Sequence, residues 1–139
     1  MKRFNFTLER VLTYRRSEAD VEKAKLVALE SELSKIHEEL KTLHETFLDE
    51  VRRVQPDPAE RAELGRFRMI VESQTIRIQQ RINEKQSQID NQKQLYVKAN
   101  QAAEVLIKVK DKQKKSWDQD FQKELDSLAM DSFLSRWKN

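Results

Sequence analysis

The apolar residues in the first half of the chain recur with the spacing of a coiled coil. Seven of them are separated by alternating steps of three and four: Leu26, Leu29, Leu33, Ile36, Leu40, Leu43 and Phe47. This spacing places them along one stripe of a helix, which packs against a second helix. Upstream the stripe is looser, because Arg15 and Glu22 stand where apolar residues would be expected. The pattern predicts a first helix over about residues 7–54.

A second stripe follows in the other half of the chain and is more polar. Its members are Leu64, Phe67, Val71, Thr75, Ile78, Ile82, Lys85, Ile89, Gln92, Tyr96, Ala99, Ala103 and Leu106. Farther on, the spacing of Trp117, Phe121, Leu125 and Leu128 is irregular in the way that locally unwinds a supercoil. We expect a second helix over about residues 58–135.

The residues that break helices all lie between the two stripes. Pro56 and Pro58 disfavour helical geometry at the residue before each of them, which ends the first helix and predicts a turn at about residues 55–58. Asp57 is placed to cap the second helix, with Pro58 at its first position and Glu60 at its third. Gly65 weakens the first turns, so the regular helix is expected to begin just after it.

One reversal between two heptad helices predicts an all-α fold: a long two-helix antiparallel coiled-coil hairpin that forms a single domain over residues 1–139. If the turn centres near Asp57, residue i of the first helix faces residue 113 − i of the second. The start of the first helix then faces Leu106 of the second helix. The part of the second helix beyond Leu106 has no opposing helix and is expected to be a C-terminal helical overhang.

Composition excludes several classes of protein. The 139 residues include one glycine, two prolines and no cysteine, with 37% charged residues. So few turn residues argue against a β-sandwich, a doubly wound α/β enzyme and a glycine-rich phosphate loop. The lack of cysteine removes disulfides, thiol catalysis and cysteine zinc sites. No apolar run is long enough for a membrane span or a signal peptide, so we expect a soluble, intracellular protein without membrane insertion.

Candidate catalytic residues are lacking too. His37 and His44 are seven residues apart, which is about 10.5 Å along a helix and too far for one metal ion. A two-helix rod offers no concave, dry pocket, and no catalytic motif is present. We therefore expect that the protein is not an enzyme and binds no metal or cofactor.

Charge is distributed unevenly along the chain. Residues 26–50 carry two lysines against seven acidic residues, whereas the facing residues 63–87 carry five basic residues against three. At the open end, residues 1–25 (seven basic, four acidic) and 88–115 (seven basic, three acidic) are both positive. This end therefore predicts an acidic partner, although a solvated helix face is the alternative. Nucleic acid is not expected as the partner, since aromatic residues are few and acidic residues resume at Asp118.

Two further groups of apolar residues are candidates for contacts. Met69, Ile70 and Ile76 lie outside the stripe of the second helix and should be exposed. Most aromatic residues gather at the two ends of the chain: Phe4, Phe6, Tyr14, Trp117, Phe121, Phe133 and Trp137. They are expected either to close the hairpin or to form a docking tip.

Both ends of the chain resemble a known family. The stretch FNFTLERVLTYRRSE, from Phe4 to Glu18, resembles the start of the flagellar export protein FliJ family, F-x-F-x-L-E-x-V-L followed by an Arg and a Glu. The stretch ELDSLA, from Glu124, is similar to the family's E-L-D-E-x-A…R ending, with Ser127 in place of the usual acid and Arg136 somewhat late. The middle of the chain would match any coiled coil.

The resemblance implies a soluble component of the flagellar type III export apparatus, cytoplasmic and peripherally associated with the flagellar base at the inner membrane. Members of the family are antiparallel coiled coils similar to the central-stalk gamma subunit of rotary ATP synthases. Their joined terminal end sits in the export ATPase hexamer, their second helix contacts the export-gate membrane protein, and they handle export chaperones. By position, the gate-binding stripe would be Ile70, Gln74, Arg77 and Arg81.

The basic, aromatic open end matches what a stalk inserted into an acidic ring would need. We expect electrostatic contacts with the ATPase from Arg15, Arg16, Lys108, Lys112 and Lys115. We expect closure of the tip by Phe4, Phe6, Leu8 and Leu12 against Trp117, Phe121 and Leu125. Three alternatives remain: a generic coiled-coil adaptor, a nucleic-acid binder, and the equivalent stalk protein of a virulence-type secretion system.

Overall fold

The computed structural model describes residues 2–138 and contains two helices, α1 (Glu9–Arg53) and α2 (Pro58–Lys138). The helices pack against each other, and no strand occurs in the described part of the chain. The predicted all-α helical hairpin is therefore confirmed. Each predicted helix differs from the observed one by no more than three residues at either end.

The predicted stripes form the interface between the helices. Every stripe residue from Leu26 to Phe47 on α1, and from Leu64 to Leu106 on α2, is buried or half-buried. The most buried apolar side chains are Phe6, Leu12, Ala19, Ile36, Val71, Ile82, Ile89 and Ala103. Removal of this surface from water is the main stabilising contribution to such a hairpin.

The polar positions of the α2 stripe are paired with α1. The Lys85 ammonium lies 2.7 Å from the Glu32 carboxylate, and this contact lowers the pKa of Glu32. The buried Gln92 amide donates to the carbonyl oxygen of Glu22 at 3.0 Å and also to its carboxylate. The polar residues of the stripe are thus satisfied within one chain.

The pairing register is offset from the predicted one. Gln92 meets Glu22, one position from the residue 21 that the sequence predicts, but Arg81 meets Glu39, seven positions from residue 32. Side chains on a helix lean toward its N-terminus, and long side chains lean farther. In an antiparallel pair both partners lean to lower numbers, so contacting residues have higher numbers than the opposed backbone positions.

Asp57 caps α2 as predicted, but the reciprocal contact is different. Its carboxylate accepts a hydrogen bond from the backbone N–H of Ala59 at 3.2 Å, and its carbonyl oxygen accepts one from Arg61. The Glu60 carboxylate accepts a hydrogen bond from the backbone N–H of Gln55 at 2.8 Å. The backbone N–H of Asp57 donates instead to the carbonyl oxygen of Gln55. The cap therefore ties α2 to the residues before the turn.

The predicted start of α2 at Pro58 is confirmed, and the regular part of the helix is not delayed by Gly65. Its φ is not positive, and a Cβ added there meets nothing within 4 Å. We expect Gly65→Ala to raise the free energy of unfolding by about 0.5–1 kcal/mol, because alanine loses less backbone entropy. Thermal unfolding followed by circular dichroism measures this change. The reverse substitution at exposed Ala62, to glycine, should lower the melting temperature, and a lower melting temperature for Gly65→Ala would contradict the prediction.

The overhang begins later than predicted. Residues before α1 are not helical, and they continue along α2 so that Phe6 is buried and the carbonyl oxygen of Lys2 reaches Trp117. An extended segment spans about 3.3 Å per residue against 1.5 Å in a helix, so a few residues cover several turns of α2. Half-buried positions on α2 therefore continue past Leu106 as far as Phe121, and residues 122–138 are all exposed.

The described residues divide into two compact units. Residues 2–20 and 97–138 form one unit, here called the terminal unit, and residues 21–96 form the other, here called the turn unit. Neither helix is sufficiently long and apolar to cross a membrane within residues 2–138.

Candidate functional site

An aromatic cluster closes the terminal unit. Trp117 stacks on Phe121 with ring centroids 5.3 Å apart, and the ring centroid of Phe4 lies 6.2 Å from that of Trp117 at a tilted angle. The Trp117 indole N–H donates to the carbonyl oxygen of Lys2 at 3.2 Å. Such aromatic contacts add to the free energy gained from burial. The N-terminal segment is thereby fastened to α2.

Two of the predicted tip residues lie in the core and two do not join it. Phe6 and Leu12 are 4% and 0% exposed, so both are core residues of the terminal unit. Leu8 and Leu125 are 40% and 43% exposed. Leu8 precedes the first turn of α1, and Leu125 lies one turn beyond Phe121 on the exposed part of α2. The expectation that these two leucines help to close the tip is therefore not supported by their positions.

A lysine that the sequence reasoning did not single out completes the closure. The Lys110 ammonium lies 2.8 Å from the Glu9 carboxylate, so the first residue of α1 is paired with α2. The signal was present, because Lys110 is four residues after Leu106 and therefore continues the α2 stripe. Lys110 is thus part of the closed end, whereas the nearby Lys108, Lys112, Lys114 and Lys115 are exposed.

The five predicted contact cations are all exposed on the terminal unit: Arg15, Arg16, Lys108, Lys112 and Lys115. Arg15 pairs with Glu18 at 3.1 Å and lies over the ring of Tyr14. The hydrogen bond between Tyr14 and Glu18 raises the pKa of the tyrosine and lowers the pKa of the carboxyl group. The other four cations make no ion pair with any residue in 2–138. Their charge is therefore available to a partner.

The turn unit contains a groove between α1 and α2, here called the turn-unit groove. It encloses about 940 Å³ and includes three residues of the predicted gate-binding stripe, Gln74, Arg77 and Arg81. The other lining residues are Lys35, Glu38, Glu39, Thr42, Leu43, Thr46, Phe67 and Ile78. Ile70 is exposed but does not line the groove. The structure therefore brings the polar part of the stripe together without its apolar member.

The exposure predicted for apolar residues outside the α2 stripe is confirmed, since Met69, Ile70 and Ile76 are all exposed. The two histidines are also exposed, and Nε2 of His44 lies 3.4 Å from the Thr75 hydroxyl. No group of three or more residues able to hold a metal ion occurs within residues 2–138.

The fold and the candidate site together define a helical hairpin whose N-terminal segment is fastened to α2 by aromatic residues, in a unit that also exposes the five contact cations. Comparison with protein-family models, with curated proteins and with solved structures finds no match for this chain.

Proposed function

We propose that the protein is a stalk-like component of the flagellar type III export apparatus that binds the export ATPase ring through its terminal unit. One observation carries the proposal. Three residues of the stretch that resembles the FliJ opening motif help to build the closed end: Phe4 joins the aromatic cluster, Phe6 is buried, and Glu9 pairs with Lys110. If the protein inserts this end of the hairpin into a partner, the N-terminal segment must be held firmly against α2. The motif residues make the contacts that hold it there.

The surface around the closed end supports an electrostatic contact. Phe6 and Leu12 of the motif are buried, whereas the five contact cations are exposed. A basic surface of this kind attracts an acidic ring and increases the rate of association, most strongly at low salt. The aromatic cluster fastens the N-terminal segment to α2, and the cations of α1 and α2 belong to the same compact unit.

The proposal extends to other partners of the apparatus. The export-gate membrane protein is expected to contact Ile70, Gln74, Arg77 and Arg81, all of which are exposed, and export chaperones are further partners. The protein would act in the cytoplasm at the flagellar base, as a binding component and not as an enzyme.

Charge reversal tests the proposed ATPase contact. We expect the double variant Arg15→Glu/Arg16→Glu, and the triple variant of Lys108, Lys112 and Lys115 to glutamate, each to weaken binding to the cognate export ATPase about tenfold at low salt. The measurement is stimulation of ATP hydrolysis as a function of stalk concentration, repeated over a salt series. As the salt concentration rises, the wild type should need a higher concentration to stimulate ATP hydrolysis. The concentration that the variants need should change less with salt.

The control is Lys41→Glu/Arg66→Glu, which changes the net charge by the same amount as the arginine pair but at exposed positions of the turn unit. This variant should stimulate the ATPase like the wild type. Unchanged stimulation by both terminal-unit variants, with normal helix content and melting temperature, would refute the proposed contact.

A further inference from the structure

The two rims of the turn-unit groove have opposite charge. The α1 rim carries Glu38 and Glu39 with one lysine, whereas the α2 rim carries Arg77 and Arg81 without an acidic residue. The same division holds for the longer segments to which these rims belong. Residues 26–50 have two lysines against seven acidic residues, and residues 63–87 have five basic residues against three acidic.

Between the rims the groove has an apolar lining. Leu43, Phe67 and Ile78 are only half-buried by the contact between α1 and α2. Covering their remaining exposed surface is favourable by about 25 cal/mol per Å². An occupant that gains this energy must also match an acidic rim on one side and a basic rim on the other.

We propose that the occupant of the turn-unit groove is a second copy of this chain. A two-fold symmetric contact places the same patch against itself. A patch of one charge would then repel its copy, but a patch with one acidic and one basic rim is complementary to itself when the rims are exchanged. The groove therefore has the charge distribution that self-association requires.

The charges also select one of two symmetric arrangements. A two-fold axis perpendicular to the helices would lay α1 of one copy on α1 of the other and bring acidic rims together. An axis parallel to the helices lays α1 of one copy on α2 of the other, so each acidic rim meets a basic one. The second arrangement is a four-helix bundle of the turn units in which neighbouring helices are antiparallel. We infer that the dimer has this form, with both turns at the same end.

Glu38 and Arg77 are the residues free to make this contact. Both are exposed, and neither forms an ion pair within residues 2–138, whereas Glu39 and Arg81 are already paired with each other at 2.7 Å. The contacts of Glu22 with Gln92 and of Phe47 with Phe67 set a register in which residue 38 lies opposite residue 76, so Glu38 and Arg77 are at nearly the same level of the hairpin. In the parallel-axis arrangement, Glu38 of one copy therefore faces Arg77 of the other.

A charge exchange tests this dimer in the full-length chain. Sedimentation velocity from micromolar to several hundred micromolar protein should show a monomer–dimer equilibrium for the wild type. Glu38→Lys and Arg77→Glu should each raise the dissociation constant at least about tenfold, because each homodimer would contain two like-charge contacts. An equimolar mixture of the two variants should dimerise like the wild type, since both contacts in the mixed dimer are complementary.

Two matched controls use exposed residues outside the groove, Glu30→Lys and Lys41→Glu, and should dimerise like the wild type. Circular dichroism checks that every variant keeps its helix content. The proposal is overturned if the wild type is monomeric throughout the range, which would leave the groove to a different protein. It is equally overturned if either rim variant still dimerises normally or if the mixture fails to restore the dimer. The dimer and the proposed export-gate contact share Gln74, Arg77 and Arg81, so one would exclude the other. The sedimentation measurement itself needs no partner from the export apparatus.

Discussion

Replacing Leu12 with alanine is expected to lower the free energy of unfolding by about 3 kcal/mol. Leu12 is 0% exposed, so the substitution removes buried methyl groups and leaves a cavity, and comparable changes cost about 2–5 kcal/mol. Two small residues, Ala19 and Ala103, are also buried in the terminal unit and cannot expand to fill the space. Urea denaturation followed by circular dichroism measures the loss.

The neighbouring residue provides the control for this prediction. Val11 is 42% exposed, and Val11→Ala should cost less than about 1 kcal/mol because part of its side chain is already in water. Equal losses for the two substitutions would show that Leu12 is not a core residue of the folded protein.

Trp117→Ala is expected to have the second largest effect. It removes the ring contacts with Phe4 and Phe121 as well as the hydrogen bond to Lys2, a combined loss of about 2–3 kcal/mol for a half-buried tryptophan. Because these contacts fasten the N-terminal segment, residues 2–6 should detach from α2. Hydrogen exchange measured by mass spectrometry should show faster exchange in the N-terminal peptide and in the α2 peptide that contains position 117.

Two controls separate the contributions of Trp117. Trp117→Phe keeps an aromatic ring but removes the indole N–H, and should cost about 1 kcal/mol. Trp137→Ala removes a tryptophan that is 76% exposed, so it should leave stability and exchange unchanged. If Trp117→Ala also left exchange of the N-terminal peptide unchanged, the aromatic cluster would not be what holds that segment.

The helices were predictable because their signal is local and repeated. The stripe from Leu26 to Phe47 has no interruption, and it packs against α2 as the spacing requires. The end of the pairing was not predictable in the same way. It depends on a non-helical segment before Glu9, whose reach along α2 is not encoded in heptad spacing. The predicted overhang was therefore too long.

The candidate site was predictable only in part. Aromatic residues near both chain ends indicated the contact of Phe4 with Trp117, since a hairpin brings its termini together. The pairing of Lys110 with Glu9 was not predicted, although the position of Lys110 in the α2 stripe distinguishes it from Lys108, Lys112 and Lys115. The turn-unit groove was not predicted at all, because its lining depends on which flanking residues of α1 and α2 face the same side.

The fastening of Lys2 to Trp117 also has a consequence for the order of folding. This contact joins residues 115 positions apart, whereas the contact of His44 with Thr75 near the turn joins residues 31 positions apart. The entropy lost in closing a loop increases with its length, so pairing is expected to start beside the turn and proceed toward the termini. The aromatic cluster then forms last and opens first in the folded protein. A partner that binds the closed end would suppress these openings, and slower amide exchange at the chain termini would report its binding directly.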